Sequence, residues 1–253
     1  MNINLINLTK KQKQARNKIC LVLDNIKTMD ELEKIVKELS PFVGLFKIGK
    51  ETFVRLGPNA VKLVQNNNAN VFLDLKYHDI PNTIKGASCA ATDLGVYMFN
   101  IHCAGGLEMM KAAVIGAKKT AEQNNLKRPK IIGVTLLTSI DDEILNKELL
   151  VKKQLNEYVL HLAKLSLKAG LDGIVCSANE LSFLKPQLPR DFIFVTPGIK
   201  GVSTSAGEDQ KRISSPREAI NAGSSILVIG RAITNALNRK QEVYEIIKTI
   251  EEE

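Results

Sequence analysis

Eight short runs of apolar and β-branched residues recur along the chain, most of them roughly 20 to 40 residues apart. Each run is nearly continuous rather than alternating, which is typical of strands buried on both faces of a parallel sheet. Segments with helical spacing separate the runs, so strand and helix alternate eight times. This order predicts a (β/α)8 TIM barrel, an α/β fold. An eight-stranded, doubly wound open sheet is the structural alternative, because alternation alone does not show closure. The runs are ICLVLD, LFKIG, NVFLDLK, VYMFNIHC, KIIGVTLLT, GIVCS, DFIFVTPG and ILVIG.

Two of the intervening segments carry clear helix boundaries. TMDELEKIVKEL begins at Thr28, a residue type that caps helix N-termini, and stops before Pro41. EYVLHLAKLSLKAG ends at Gly170, a typical C-cap. The longest connection, SIDDEILNKELLVKKQ, follows the fifth run and predicts either a lid or an extra turn. The length of 253 residues is usual for such a barrel, and we therefore predict one domain over residues 1–253.

The composition indicates a globular protein without membrane segments. Apolar residues make up 44% of the chain and charged residues 25%, and no apolar run is long enough to span a bilayer. The first 17 residues are polar and lack the features of a secretory signal, so we expect a cytoplasmic protein. The four cysteines are scattered without metal-ligand spacing, which predicts reduced, buried thiols.

The formal net charge of +8 favours an anionic ligand. Nucleic acid is a poor candidate, because aromatic residues are only 5% and Trp is absent, which leaves few side chains for base stacking. The lysines are also dispersed over many segments, as on a solvated surface. A basic, non-catalytic RNA-binding barrel stays open as a second class of function, and it predicts salt-sensitive RNA binding.

The third run, VFLDLKYHDI, places charges where a buried strand is predicted. Residues two apart in a strand point to the same side, so Asp74 and Lys76 share one face while Leu73 and Leu75 take the other. In a barrel that face is the interior, and the two charges fall at the carboxyl end, where barrel enzymes carry out their chemistry. A structural ion pair is the simpler alternative. Because each buried ion costs several kcal/mol unless it is compensated, the group of charges favours a functional site.

Other strand ends contribute polar groups to the same rim. Barrels often bind a phosphate between the loops that follow strands seven and eight, and in VIGRAITNAL Gly230 and Arg231 lie at that position. We therefore expect a phosphorylated substrate, although a solvent-facing arginine beside a turn is the alternative. The other rim candidates are Asp24, Lys47, Thr135, Thr138, Thr196 and Pro197.

Several motifs, taken together and in order, resemble those of the orotidine 5′-monophosphate decarboxylase family in its compact bacterial form. The resemblance runs from about Cys20 to Ile233, and the D-L-K-x-H-D-I-P-N-T string within it is long and specific. It implies decarboxylation of orotidine 5′-monophosphate (OMP) to uridine 5′-monophosphate (UMP) without a metal or organic cofactor. The motifs are LVLD, FKIGKETF, VFLDLKYHDIPNT, NIHCAGG, VTLLTS, GIVCSANE, VTPGIK, EDQKRI and VIGRAIT.

The resemblance also implies roles for individual residues. Lys76 would deliver a proton to C6 of the ring, and Asp74 would lie against the departing carboxylate. Asp79 and Thr83 would come from the neighbouring subunit of a homodimer. The remaining implied residues complete the charged network or contact the ribose, base and phosphate: Asp24, Lys47, Thr138, Pro197, Lys200, Gln210, Gly230 and Arg231. Gln210 would arrive on the loop KGVSTSAGEDQKR, whose Gly and Ser content suits a lid.

One residue departs from the family pattern. Lys200 stands at the end of TPGIK, where the family commonly has arginine, and lysine lacks the bidentate fork for phosphate. We therefore expect Arg231 to carry more of that contact. His78 and His102 are interpreted as structural, and His161, on a predicted outer helix, is expected to face solvent or pack against its neighbours.

The nearest alternative is a sugar-phosphate decarboxylase or aldolase of the same barrel superfamily. Those enzymes share a D-x-K-x-x-D pattern but require Mg²⁺. They also lack the H-D-I-P-N-T continuation and the LTS segment that are present here.

Overall fold

The computed structural model describes residues 8–202 and 214–251. Eight parallel strands pair in chain order, and β1 also pairs with β8, so the sheet closes into a barrel. The predicted (β/α)8 barrel is confirmed, and the open-sheet alternative is wrong. The strands are β1 (Ile19–Val22), β2 (Leu45–Gly49), β3 (Asn70–Tyr77), β4 (Met98–His102), β5 (Lys130–Val134), β6 (Gly173–Val175), β7 (Ile193–Thr196) and β8 (Ile226–Ile229).

Helices cover the outside of the barrel between successive strands. The α-helices of the described residues are α1 (Lys10–Asn17), α2 (Met29–Leu39), α3 (Lys50–Leu56), α4 (Pro58–Asn66), α5 (Pro81–Asp93), α6 (Gly106–Gln123), α7 (Leu155–Ala169), α8 (Ala178–Leu184), α9 (Pro216–Ala222), α10 (Arg231–Thr234) and α11 (Arg239–Glu251). Within the described ranges, no helix has both the length and the apolar character needed to cross a bilayer.

Both helix boundaries that the sequence predicted are confirmed. The Thr28 side chain accepts a hydrogen bond from the Glu31 amide at the start of α2. Gly170 ends α7 in the left-handed conformation, at φ 86°, which a residue with a β-carbon adopts only at a cost. The long connection after β5 contains an extra turn, a π-helix at Ile144–Glu148, and its Leu145 is fully buried.

Two apolar layers lie on the two sides of the strands. Inside the barrel, Cys20, Phe72 and Met98 belong to a cluster to which most of the strands contribute. Outside, Leu73 and Phe99 pack under the helices in a larger cluster. Neighbouring residues along β3 thus face opposite layers, as the pleat of a strand requires.

An ion network lies at the amino ends of β5 and β6, away from the rim. Asp172 accepts hydrogen bonds from Arg128 Nη2 at 2.6 Å, Lys130 Nζ at 3.0 Å and the Ile131 amide at 2.9 Å. Its side chain is only 9% exposed. A buried carboxylate with three donors anchors two adjacent strands, which is a structural role.

We expect Asp172→Ala to lower the free energy of unfolding by about 3 kcal/mol, because removing one partner leaves the others without compensation at a buried site. Glu33→Ala is the matched control, since the Glu33–Lys37 pair is exposed and should contribute below about 1 kcal/mol. Urea denaturation followed by circular dichroism measures both changes. Equal losses in the two variants would contradict the assigned role of Asp172.

Candidate active site

A cavity of about 620 Å³ opens at the carboxyl ends of the barrel strands. Of the residues that the sequence predicted for the site, Asp24, Lys47, Asp74, Lys76, Thr138, Pro197, Gly230 and Arg231 all line it. These residues come from six different strand ends, and barrel closure alone brings them together. The structure thus places the larger part of the predicted set in one pocket.

The Asp74 carboxylate lies between two lysine ammonium groups at the base of this cavity. Lys76 Nζ is 2.6 Å from Asp74 Oδ1, and Lys47 Nζ is 2.8 Å from Asp74 Oδ2. Asp74 and Lys47 are buried, with side chains 8% and 9% exposed, whereas the Lys76 side chain is 28% exposed. Of the two lysines that line the cavity, Lys76 therefore has the more accessible side chain.

Charge pairing outweighs desolvation in this group. At an effective dielectric constant of about 20, two unit charges at these distances attract by roughly 6 kcal/mol, against a desolvation cost of several kcal/mol per ion. Burial raises the pKa of the Asp74 carboxyl, but Lys47 and Lys76 outweigh it, so the pKa lies below its usual value. Burial likewise lowers the pKa of Lys47, but Asp74 and Asp24 outweigh it and leave that pKa raised. Asp74 is therefore an anion and Lys47 a cation at neutral pH.

Asp24 extends the network toward solvent. Its Oδ1 atom is 3.4 Å from Lys47 Nζ, and its side chain is 46% exposed. Gly49 leaves the room for this approach, because a β-carbon at that position would meet Asp24 Oδ1 and lie 3.1 Å from Lys47 Nζ. Glycine at the end of β2 thus permits the alternating row of charges Asp24, Lys47, Asp74 and Lys76.

Backbone irregularity in β3 sets the direction of Lys76. The β3–β4 register pairs Leu73 with Phe99 and then Tyr77 with Ile101, so three residues of β3 lie opposite Asn100 alone. Lys76 has φ 51°, in the left-handed region that residues with a β-carbon rarely adopt. The sequence correctly predicted that Asp74 and Lys76 face the interior. The irregular segment of β3, and not the regular pleat that the prediction assumed, brings the two side chains together.

Further around the rim of the cavity, Gly230 and Arg231 follow β8, and Pro197 follows β7. Thr138 lines the cavity in the loop after β5. Two other rim candidates lie elsewhere: Thr135 is buried and donates its hydroxyl to the Val175 carbonyl, and Thr196 is also buried. Neither of these threonines lines the cavity.

Three of the predicted site residues that the structure describes do not line the cavity of this chain. Asp79 and Thr83 are exposed at the start of α5, and the Asp79 Oδ1 atom accepts a hydrogen bond from the Ile80 amide. Lys200 is exposed, and its amide donates to the Ser214 carbonyl. Gln210 lies outside the described residues. The family resemblance implies that Asp79 and Thr83 serve the site of a second subunit.

Two histidines form a pair beside the charged group. The rings of His78 and His102 are 5.2 Å apart between centroids. Burial, followed by His78, Lys50 and Lys76, lowers the pKa of His102 to about 4. His102 is therefore neutral at pH 7, which agrees with its interpretation as a structural residue.

Sequence reasoning missed several residues that line the cavity. Asn100 is 1% exposed and hydrogen-bonds both Asp74 and Lys76. Its only signal was a polar residue inside the apolar run VYMFNIHC. The other missed residues that line the cavity and carry polar side chains are Asn25, Glu31, Thr234, Asn235 and Arg239. The described part of the chain contains no group of three or more His, Cys, Asp or Glu side chains arranged to bind a metal ion.

Comparison with known proteins connects this geometry to a family. Residues 17–246 match the family model described as Orotidine 5′-phosphate decarboxylase / HUMPS family. A curated orotidine 5′-phosphate decarboxylase of Pseudoalteromonas translucida is 47% identical over 94% of this chain and 99% of its own length. The enzyme of that name from Syntrophus aciditrophicus is 44% identical over 90% of both chains. A crystal structure of orotidine 5′-phosphate decarboxylase from Lactobacillus acidophilus matches with TM-score 0.80 and 34% identity, over 92% of this chain and 98% of that chain.

The pKa values give a prediction for stability. The folded-state pKa of Asp74 lies below the ordinary 3.8, so its contribution is present above that pH and is lost as pH falls through the folded-state pKa. We expect Asp74→Asn to reduce the free energy of unfolding at neutral pH by roughly 3 kcal/mol, because two ammonium groups then lose their shared anion. The difference from the unmodified protein should shrink below about pH 4, measured by urea denaturation as a function of pH. A difference that is constant over the whole pH range would contradict this assignment.

Proposed function

The chain belongs to the orotidine 5′-phosphate decarboxylase / HUMPS family, and we propose on that basis that it converts OMP to UMP and CO₂, the last step of de novo pyrimidine nucleotide synthesis. The curated relatives reported above carry this activity in their names. The observation that carries the proposal is the Lys76 side chain, which is paired with Asp74 and lines the same cavity as Arg231 at the end of another strand. That arrangement suits an anionic nucleotide whose reacting carbon lies beside Lys76.

The proposed reaction needs one proton donor at the reacting carbon. The bond between C6 and the carboxylate breaks, its electron pair stays on C6, and CO₂ leaves. Lys76 Nζ then donates a proton to C6, so that an N–H bond breaks and the C6–H bond forms. The neutral amine that remains regains a proton from solvent. An ammonium fixed where negative charge develops stabilises the transition state electrostatically, because it needs no reorganisation during the reaction.

Asp74 and Lys47 support this step without transferring the proton. The carboxylate of Asp74 would lie against the substrate carboxylate, and that repulsion is relieved when neutral CO₂ leaves. Lys47 compensates Asp74 from the buried side at 2.8 Å, so the carboxylate stays ionised next to a second anion. With Asp24, Lys47 would also bind the ribose hydroxyls.

Binding energy from the phosphate end is the second part of the proposal. Gly230 and Arg231 would bind the phosphate, and Thr138 and Pro197 would contact the base. Lys200 and Gln210 complete the proposed set, with Lys200 as a point charge in place of an arginine. Contacts remote from C6 can support the ordering of the site around the substrate, so their loss should reduce turnover as well as affinity.

We also propose a homodimer with shared sites. Asp79 and Thr83 are exposed in this chain, and the Ile80 side chain between them is 67% exposed. Val54, on the helix that follows the neighbouring strand β2, is 86% exposed. An apolar and charged surface next to the rim suits a second copy, whose site Asp79 and Thr83 would complete. We place this enzyme in the cytoplasm, with which four free cysteines agree.

A Mg²⁺-dependent sugar-phosphate decarboxylase or aldolase is the competing function within the same superfamily. We expect decarboxylation of OMP to proceed at an undiminished rate in EDTA. The reaction is measured by the decrease in absorbance of the pyrimidine. Activity that disappears on chelation and returns with Mg²⁺ would favour the competing function.

Lys76→Ala should abolish turnover and still allow UMP binding, because the proton donor is lost while the phosphate and base contacts stay. Loss of a general acid costs about 10²- to 10⁴-fold, and loss of the fixed charge adds to it. Lys118→Ala is the control, since Lys118 is 69% exposed and lies on α6. Steady-state kinetics and calorimetric titration with UMP measure the two effects. Near-normal turnover in Lys76→Ala would refute the assigned role.

Subunit mixing tests the shared site. Lys76→Ala and Asp79→Ala should each be inactive, and a mixture should regain about a quarter of the unmodified activity, because half of the dimers are hybrids with one intact site. Subunit exchange is verified by native mass spectrometry. Exchange without regained activity would show that Asp79 acts within its own chain, and an active Asp79→Ala variant would show that Asp79 is not needed.

A further inference from the structure

Asn100 is the one uncharged side chain that hydrogen-bonds both members of the Asp74–Lys76 pair among the described residues. Its Nδ2 atom donates to Asp74 Oδ1 at 2.6 Å, and its Oδ1 atom accepts from the Lys76 backbone amide at 2.8 Å. The partners fix the orientation of the carboxamide, because a backbone N–H only donates and a carboxylate only accepts. Asn100 therefore contacts both ends of the D-x-K segment, as a donor to Asp74 and as an acceptor from Lys76.

The Asn100 side chain also accepts a backbone hydrogen bond in the irregular segment, where β3 and β4 are not paired residue by residue. Where β3 has three residues opposite one residue of β4, the Lys76 amide bonds to the side chain of Asn100. Lys76 itself has φ 51°, a conformation that persists only where its surroundings hold it. The bond from Asn100 is a direct restraint on that backbone.

We propose that Asn100 is a positioning residue, which fixes the Lys76 ammonium and the Asp74 carboxylate in their reactive arrangement without touching the substrate's reacting atoms itself. The inference rests on the proposed decarboxylase function. Asp74 Oδ1 receives both the Lys76 ammonium and the Asn100 amide, so the carboxylate cannot rotate without losing one of two short contacts. A neutral donor at position 100 adds this restraint without adding charge between Asp74 and the substrate carboxylate.

Asn100→Asp separates positioning from simple packing, since it keeps the shape and changes one donor into an acceptor. Two carboxylates at hydrogen-bond distance raise the pKa of one of them, so the variant retains the bond only in its protonated form. We expect kcat to fall about 100-fold near pH 8 and to recover relative to the unmodified enzyme as the pH falls toward about 5. The affinity for UMP should change by less than about threefold, because the phosphate and base contacts are intact.

The other charged groups around Asn100 are present in both the variant and the unmodified enzyme. Dividing the kcat of the variant by that of the unmodified enzyme at each pH therefore removes the contribution of these groups. His102 on β4 is neutral over this range, since burial and its neighbours lower its pKa to about 4. The β5 residue paired with Asn100, Ile132, carries no charge. The charged or titratable groups that face this region are Cys20, Asp24, Lys47, Lys50, Asp74, Lys76, His78 and His102.

Asn100→Ala is the second variant, and it should lower kcat by a similar factor at every pH, without recovery in acid. Ser166→Ala is the stability control, because Ser166 is fully buried on α7 and its hydroxyl donates only to the Ala163 carbonyl among the side-chain hydrogen bonds of the described chain. Circular dichroism melts establish that each variant is folded before its rate is measured. If Asn100→Asp does not fold, Asn100→Ala still decides, since a folded variant with kcat within threefold of the control overturns the proposal.

The two hypotheses fail differently. An unmodified enzyme without OMP decarboxylation refutes the proposed function. If the unmodified enzyme is active and Asn100→Asp has the same kcat at every pH, the positioning role alone is refuted.

Discussion

One carboxylate shared by two ammonium groups is the interaction on which the site depends. Asp74 is buried below the rim and contacts Lys47 and Lys76 through different oxygens. Burial works against the charged forms of Lys47 and Asp74, and their pairing outweighs it, since the pKa of Lys47 is raised and that of Asp74 is lowered. The pairing thus holds a cation at the cavity, beside an anion that repels a second carboxylate. The cation favours an anionic ligand and the anion disfavours one. A ligand whose anionic group leaves as a neutral molecule is compatible with both charges.

Barrel closure places this group where water is scarce. Below the charged residues the interior is filled by apolar side chains, among them Cys20, Phe72 and Met98. A dry base makes each charge interaction stronger than it would be at a surface, and it makes each unpaired charge more costly. The opposite, amino end of the barrel has its own ion network around Asp172, which anchors strands. Stability and chemistry therefore use the same kind of interaction at separate ends of the fold.

The sequence predicted the eight strands because residues buried on both faces leave continuous apolar runs. The predicted runs extended too far at their carboxyl ends: KIIGVTLLT continues past β5, which ends at Val134, because Leu136 and Leu137 are apolar without belonging to the ladder. Asp74 and Lys76 were predictable because charges in such a run are conspicuous. Asn100 was not, since one amide in a strand gives little signal and the three-against-one register is a property of two strands together. The roles of Asp79 and Thr83 came from resemblance alone, because exposure at the start of a helix has no pattern in a single sequence.

The irregularity in β3 connects the chemistry of one chain with the proposed assembly of two. A regular strand would carry residues 77 to 79 straight on above the barrel, with alternate side chains still facing inward. The left-handed conformation at Lys76 instead interrupts the regular register, β3 ends one residue later at Tyr77, and Asp79 and Ile80 are exposed before α5 begins at Pro81. The irregularity at the proposed proton donor thus lies directly before the carboxylate proposed for the site of a second copy. A change that removed this irregularity would act on both, so the conformation of Lys76 connects the geometry of the cavity to the surface proposed for a second copy.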